Sequence, residues 1–375
     1  MKSITYLLIL CLLVTGCVEQ FIPEIAEDQN LIVVDGIITD QPGVYTIKLS
    51  KSSPLGSKIL TKPLTGCTVS ITDDLNNTVY LTESKLLAES GTYFTDPLNF
   101  SGVPGRKYVL EIKTNNSTTT HYTYRSLPME MIPVPRIDSL FYKKVTISGK
   151  TVEGCQIYLN THDQADNCRF FRWDYTETWK FQLPLYATIL NRTCWITNNS
   201  KRINIKNTSV LSENRINNFP LVFISNETDR LSVRYSILVN QFSVSEDEYN
   251  YWEKLQNIAE EVGSLYDITP SSVSGNIYCV EDRDEQVLGY FSVSSKHSKR
   301  IYIEENFKGL VDLYSKCTAD TTFGPAPHIG LNVDFWILED NYYAPPTYKI
   351  ITYDKSCVDC TVRGTKIKPE FWSEN

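Results

Sequence analysis

The chain has 375 residues, of which 42% are hydrophobic and 21% charged, with a formal net charge of −8. That composition excludes an extended disordered protein and suits a globular chain of two-domain length. Basic residues cluster only briefly, at Lys201, Arg202 and Lys206 and at Lys296, Lys299 and Arg300, so no nucleic acid is expected as a partner.

The chain opens MKSITYLLILCLLVTGC, with Lys2 ahead of an apolar run from Ile4 to Val14. Such a run is too short to span a bilayer as a helix and reads as a signal peptide over residues 1–16. Val14, Thr15 and Gly16 lead straight into Cys17, the pattern of a lipobox, although leucine is commoner where Val14 stands. The thiol is needed there because a diacylglyceryl group is joined to its sulfur. Two or more acyl chains, at about 0.8 kcal/mol per buried CH₂, hold a protein on a membrane where one is marginal. Cleavage before Cys17 and lipid attachment to it are therefore expected. The competing reading leaves Cys17 a plain thiol after ordinary cleavage. Residues 17–30 then form a polar, Pro-containing tether.

Leu31 to Val34 read as a buried strand ending at Asp35-Gly36, and period-two alternation follows at Tyr45, Ile47 and Leu49, at Cys67, Val69 and Ile71, and at Tyr108, Leu110 and Ile112. Turn signals at Asp73-Asp74, Asn76-Asn77, Ser90-Gly91 and Pro104-Gly105 have the spacing of an antiparallel sandwich. This predicts a first β-sandwich domain over residues 31–126 and a linker over 127–135 containing Pro128, Pro133 and Pro135. Residues 136–375 form a second β-rich domain, in which Phe171, Trp173 and Tyr175 alternate with Arg172, Asp174 and Thr176, and 231–242 form another apolar run. A helix near 246–262 is marked by Ser245 as N-cap, Glu246 and Asp247 in the first turn, Glu248 at the capping-box position and Gly263 behind its end. Trp252, Leu255, Ala259 and Val262 share its apolar stripe. A membrane β-barrel would also use long alternating strands, but charges such as Arg172 and Asp174 on the alternate face oppose a lipid-facing band. The predicted fold class is mainly β.

Residues that carry chemistry are scarce. His121, His162, His297 and His328 stand in no zinc-binding spacing, and no GxSxG, P-loop or GxGxxG signature occurs. No catalytic residue, cofactor or metal site is assigned. The acidic pairs Asp282/Asp284 and Glu304/Glu305 would suit glycoside hydrolysis only if placed across a cleft. Ten cysteines occur; Cys11 leaves with the leader and Cys17 takes lipid. The remaining eight, Cys67, Cys155, Cys168, Cys194, Cys279, Cys317, Cys357 and Cys360, form disulfides or buried thiols in a pairing the sequence does not choose. For Cys357-Val358-Asp359-Cys360 a redox role needs a helix starting at the first cysteine, and Thr361 to Gly364 followed by Pro369 do not favour one. A staple between Cys357 and Cys360 is the expected reading. Among six tryptophans, Trp173 and Trp252 fit core stripes, while Trp179 and Trp195 are candidate contacts for a sugar or peptide ligand.

Several segments together resemble a Bacteroidetes lipoprotein family of unknown function, often encoded beside SusC-type TonB-dependent receptors. They are LIVVDGIITD from Leu31, VYTIKLSKSSPL from Val44, SGTYFTD from Ser90, RFFRWDYTETWKF from Arg169, YSILVNQFSVSEDEYNYWEKL from Tyr235, SGNIY from Ser274, VLGYFSVSSKHSKRIYI from Val287 and CVDCTVRGTKIKPEFW from Cys357. The resemblance implies an outer-membrane lipoprotein with an N-terminal immunoglobulin-like or transthyretin-like sandwich and a larger β-rich domain, and it implies no reaction. Surface export in that phylum goes with an acidic cluster behind the lipidated cysteine. Here Cys17-Val18-Glu19-Gln20 offers one acid, which leaves the two faces of the outer membrane both open. The expected function is a non-enzymatic accessory of a TonB-dependent uptake system, capturing a glycan or peptide or bracing the receptor. An adhesion or envelope-scaffold protein and a surface hydrolase are the alternatives.

Overall fold

The computed structural model describes residues 31–53, 62–96, 100–114, 122–147, 152–184, 191–261, 273–323, 336–341, 348–352 and 354–373. The expected leader and tether over residues 1–30 with Cys17, and Val262, Gly263, His121 and His328, lie outside them. The described chain is mainly β, as its alternating patterns predict, with one α-helix.

The first unit is built from β1 (Ile32–Ile38), β2 (Thr46–Lys51), β3 (Lys62–Pro63), β4 (Thr68–Asp73), β5 (Thr78–Tyr80), β6 (Thr82–Glu83), β7 (Thr92–Phe94), β8 (Lys107–Lys113), β9 (Thr123–Ser126) and β10 (Met129–Glu130). Two sheets face each other over a core of Val34, Ile38, Ile47, Leu49, Val69, Ile71, Leu110 and Ile112, all essentially sealed from solvent. These are the residues of period two, so one face of each strand is buried and the other stays polar. β1 departs from expectation by running through Asp35-Gly36 rather than ending there. Neighbours on both sides extend its ladder, and Gly36 packs so closely that a Cβ would sit 2.2 Å from Ile47 Cδ1.

The second unit holds β11 (Ile137–Thr146), β12 (Glu153–His162), β13 (Phe170–Gln182), β14 (Thr193–Asn199), β15 (Asn204–Asn207), β16 (Arg215–Ile224) and β17 (Arg234–Ser243), followed by helix α1 (Glu246–Glu261). Then come β18 (Ile277–Cys279), β19 (Val287–Val293), β20 (Lys296–Ile303), β21 (Asp320–Phe323), β22 (Trp336–Asn341) and β23 (Tyr348–Thr352). A sheet β11-β12-β16 packs on a sheet β14-β13-β17-β20, with β15 beside β13, around Ile157, Leu159, Phe171, Trp173, Phe181, Tyr235 and Ile237. Strands β21, β23 and β22 form a small separate sheet.

The expected domain boundary needs correction. After α1 the chain returns to the first sandwich: β18 pairs with β9, and β19 pairs in parallel with β1 along its whole length. Ile277, Val287, Phe291 and Val293 belong to the first core. Strands β11 to β17 of the second sandwich therefore lie between β10 and β18, and β20 re-enters that sandwich beside β17 after β19. A parallel pair needs a long crossover, and here the crossover is a domain. Residues 127–135 are likewise no free linker. Met131 is fully buried, its N–H donates to the Arg106 carbonyl, and the Pro135 carbonyl accepts from Gln241 Nε2 at 2.8 Å.

Helix α1 starts as its sequence predicts, with Ser245 Oγ accepting the Glu248 N–H at 3.2 Å. The Glu248 side chain does not complete a capping box. It is fully buried and turned toward the first sandwich, where Oε1 accepts from Ser292 Oγ at 2.7 Å and from Trp252 Nε1 at 3.2 Å. The packed face holds Glu248, Tyr251, Trp252 and Leu255, whereas Ala259 of the expected stripe is exposed. Tyr251 lies on Tyr290 of β19 at 4.8 Å and Tyr249 on Phe170 of β13 at 5.4 Å, so α1 is wedged between the two units.

The expected Cys357 to Cys360 staple is also corrected. Cys360 is bonded to Cys194 at the start of β14, and Cys357 to Cys317. Cys357 ends one 3₁₀ turn capped by Asp354 and Cys360 begins another capped by Asp359, and the two sulfurs reach different partners. The bonds fasten the C-terminal segment across the second sandwich, while Cys155, Cys168 and Cys279 are buried free thiols and Cys67 is half-buried.

Candidate functional site

Alternation along β13 puts Phe171, Trp173 and Tyr175 into the core and leaves Arg172, Asp174 and Thr176 on the opposite face. That face is walled on one side by residues 199–204, the crossing from β14 to β15, and on another by α1. The result is an open groove of about 450 Å³ lined by Arg172, Asp174, Thr176, Asn199, Ser200, Lys201, Arg202, Ile203, Asn204, Asn240 and Trp252.

Its walls are pinned. Ser200 N–H donates to the Tyr175 carbonyl at 2.8 Å, Tyr175 N–H to Ser200 Oγ at 3.1 Å, and Thr176 Oγ1 to Asn199 Oδ1 at 2.9 Å. Gln256 Nε2 of α1 donates to the Ile203 carbonyl at 3.0 Å. On the floor, Asn240 Nδ2 donates to Asp174 Oδ1 at 2.7 Å while Asn240 Oδ1 accepts from Ser298 Oγ at 2.7 Å. This chain fixes the amide orientation and presents a carboxylate, an amide and a hydroxyl side by side.

The Arg172 guanidinium lies between the rings of Phe242 and Trp252, 4.7 Å from each centroid. Stacking on two aromatic faces holds the planar group in one orientation. Its Nε is buried without a hydrogen-bond partner, and no ion pair reaches it among the described residues. Glu248 lies close enough for its charge to be felt by Arg172, but burial dominates and pushes the Glu248 carboxyl above the usual range. On the rim, Lys201 and Arg202 are exposed, with Arg202 4.0 Å from Glu260. Among the groove residues three cations face one carboxylate.

Two other hollows hold much of their charge in internal pairs. At the one beside β12, of about 410 Å³, the Asp163 carboxylate accepts the N–H groups of Ala165, Asn167 and Cys168, and Arg169 pairs with Asp166 at 2.5 Å. In the one beside β8, Glu111 pairs with Arg125 at 2.5 Å, and Asp73 and Asp74 are bound by Arg106 next to it.

The structure does not bring Trp179 and Trp195 to a ligand surface. Both are buried. Trp179 Nε1 donates to Asp229 Oδ1 at 3.2 Å, inside a network where Arg363 binds Asp229 Oδ2 at 2.9 Å and where Arg230 and Tyr235 bind Glu177. Trp195 lies under the C-terminal segment, edge-on to Trp372 at 6.4 Å. Long strands with large aromatic faces bury those faces once a second layer covers them. The acidic pairs do not face each other across a cleft: Asp282 accepts the Asp284 N–H in a turn, Glu304 pairs with Arg234, and Glu305 with Tyr142 and Lys144. His162 Nδ1 sits 2.6 Å from Asp138, and His297, lowered by burial, accepts the Ile137 N–H. Among the described residues no cluster of His, Cys, Asp and Glu is placed to hold a metal ion.

Arg172 and Asp174 were visible in the sequence as charges inside an aromatic-rich strand, and Lys201 with Arg202 as a short basic cluster. Their meeting in one groove depends on the β14–β15 crossing, which no local pattern announces. No curated protein matches the chain. Residues 18–300 match the family model described as Domain of unknown function (DUF4249), and the chain belongs to that family.

Proposed function

We propose that this protein is a lipid-anchored binding protein of the outer membrane that captures a ligand for a TonB-dependent receptor, without itself performing chemistry. The observation that carries the capture reading is the groove over β13, where hydrogen-bonding groups on pinned elements converge around an arginine that no carboxylate pairs with among the described residues. Pre-organised polar groups in an open groove suit recognition at low reorganisation cost. The anchor rests on the Val14-Thr15-Gly16-Cys17 pattern. The family match beginning at residue 18, directly behind Cys17, supports it. Thirteen residues, 18–30, separate Cys17 from the described body. Fully extended they reach about 45 Å, so the groove would work close to a membrane. The Bacteroidetes origin and the link to SusC-type receptors belong to this proposal and rest on the resemblance of the quoted segments.

The interlocked sandwiches favour receptor bracing as a second reading, because the return of β18 and β19 into the first sheet ties the two units together. Fractionation of cells with protease shaving separates the parts of the proposal. The natural protein is expected in the membrane fraction and Cys17→Ala in the released fraction; membrane retention of the variant contradicts the anchor. A tagged copy is expected to co-purify a TonB-dependent receptor, and its recovery alone contradicts that partner.

A further inference from the structure

We infer that the groove over β13 recognises an acidic saccharide, a sugar unit whose carboxylate or sulfate docks on Arg172 and whose ring hydroxyls reach Asp174 and Asn240. The inference deepens the capture reading and rests on it. Arg172 carries the argument. Its side chain lines the groove with the guanidinium over the rings of Phe242 and Trp252, and among the described residues no ion pair or hydrogen bond occupies it, which leaves its outer N–H groups to receive a planar or tetrahedral oxyanion.

Asp174 decides what the anion is attached to. It lies two residues along the same face of β13, about 6.6 Å from Arg172, a separation that one sugar ring spans. Its carboxylate repels a ligand that is anionic throughout, such as a polyphosphate, and accepts hydroxyl protons, while the Asn240 amide beside it serves a neighbouring hydroxyl. Lys201 and Arg202 on the rim extend the positive field outward, as suits a longer acidic chain passing over the groove. A peptide is disfavoured because β13 is paired on both sides, by β15 and β17 at this level, which leaves no edge for backbone addition.

The test is calorimetric titration of the mature chain, carrying Cys17→Ala, with four probes: digalacturonate, a sulfated chondroitin disaccharide, maltose and triglutamate. At least one acidic disaccharide is expected to bind, weakening with added salt, while maltose and triglutamate bind at least tenfold more weakly. Arg172→Gln should reduce that affinity at least tenfold and Arg172→Lys by an intermediate factor, since the ammonium keeps charge but loses the fork. The double rim variant Lys201→Gln/Arg202→Gln, exposed and without structural bonds to lose in its side chains beyond a distant acid, should weaken binding about threefold with an unchanged melting temperature. Failure of both acidic probes, binding unaltered by Arg172→Gln and by the rim variant, or equal binding of maltose or triglutamate overturns the inference. Equal binding of maltose or triglutamate that is lost with Arg172→Gln would leave capture standing and remove only the acidic-sugar specificity.

Discussion

Ser292, on the strand that returns to the first sandwich, donates its hydroxyl at 2.7 Å to the buried carboxylate of Glu248 on the helix leaving the second. The same carboxylate takes the Trp252 indole N–H, and Trp252 in turn covers Arg172. One acidic side chain thus ties the junction of the two sandwiches to the wall of the groove. Its other oxygen, Oε2, is buried without a partner.

Burial raises the Glu248 pKa above its ordinary value, with Arg172 pulling weakly the other way. The native state then holds a proton that the unfolded state has already released, so stability falls as pH rises from the ordinary carboxylate range up to the folded-state pKa. Glu248→Gln keeps an acceptor for Ser292 and Trp252 and removes that slope. Denaturant titrations from pH 4 to pH 8 should show the variant gaining on the natural protein as pH rises. A gap that narrows with rising pH would contradict the burial argument.

Gly289 closes the parallel pair. Its φ is +89°, and a Cβ there would meet the Val34 carbonyl oxygen at 1.9 Å. Gly66 also has positive φ, +72°, but faces open space. Gly66→Ala should cost about 1 kcal/mol from backbone strain alone, and Gly289→Ala more than about 2 kcal/mol because β19 must also move off β1. Equal costs in chemical unfolding would mean that β1 and β19 do not pair closely.

Non-reducing peptide mapping should recover Cys194 joined to Cys360 and Cys317 joined to Cys357. Loss of the first bond in Cys360→Ser should cost roughly 2–5 kcal/mol, since it closes a long loop. Cys155 and Cys168, each pushed up to about 12 by burial, should resist alkylation until the protein unfolds. A peptide carrying Cys357 bonded to Cys360 would contradict this pairing.

Trp179→Phe separates structure from recognition. It removes the indole N–H donor of Asp229 and should cost about 1–3 kcal/mol of stability, yet leave affinity at the groove unchanged. Weaker ligand binding by the folded variant would return Trp179 to the ligand-contact role its sequence position suggested.

What the sequence disclosed followed the range of its interactions. Val69 and Ile71, or Phe171 and Trp173, declare their buried faces by spacing alone, and Ser245 declares the helix start because a cap acts within one turn. The return of β18 and β19 to the first sandwich was hidden, since alternation says that a strand has a buried face but not whose sheet it joins. Cys357 and Cys360 invited a local bond by proximity, while their partners were set by the path of the C-terminal segment. Arg172 showed in the sequence only as a charge on the alternate face of its strand, and Phe242 and Trp252, brought in by β17 and α1, supply the rings it lies over.

The ligand is proposed to occupy the groove over β13. Hydrogen–deuterium exchange of the mature chain, with and without a saturating acidic disaccharide, tests it directly. Slower exchange confined to residues 172–176, 199–204 and 249–256 is expected. Protection centred elsewhere, or unchanged exchange in those segments at saturation, would contradict it.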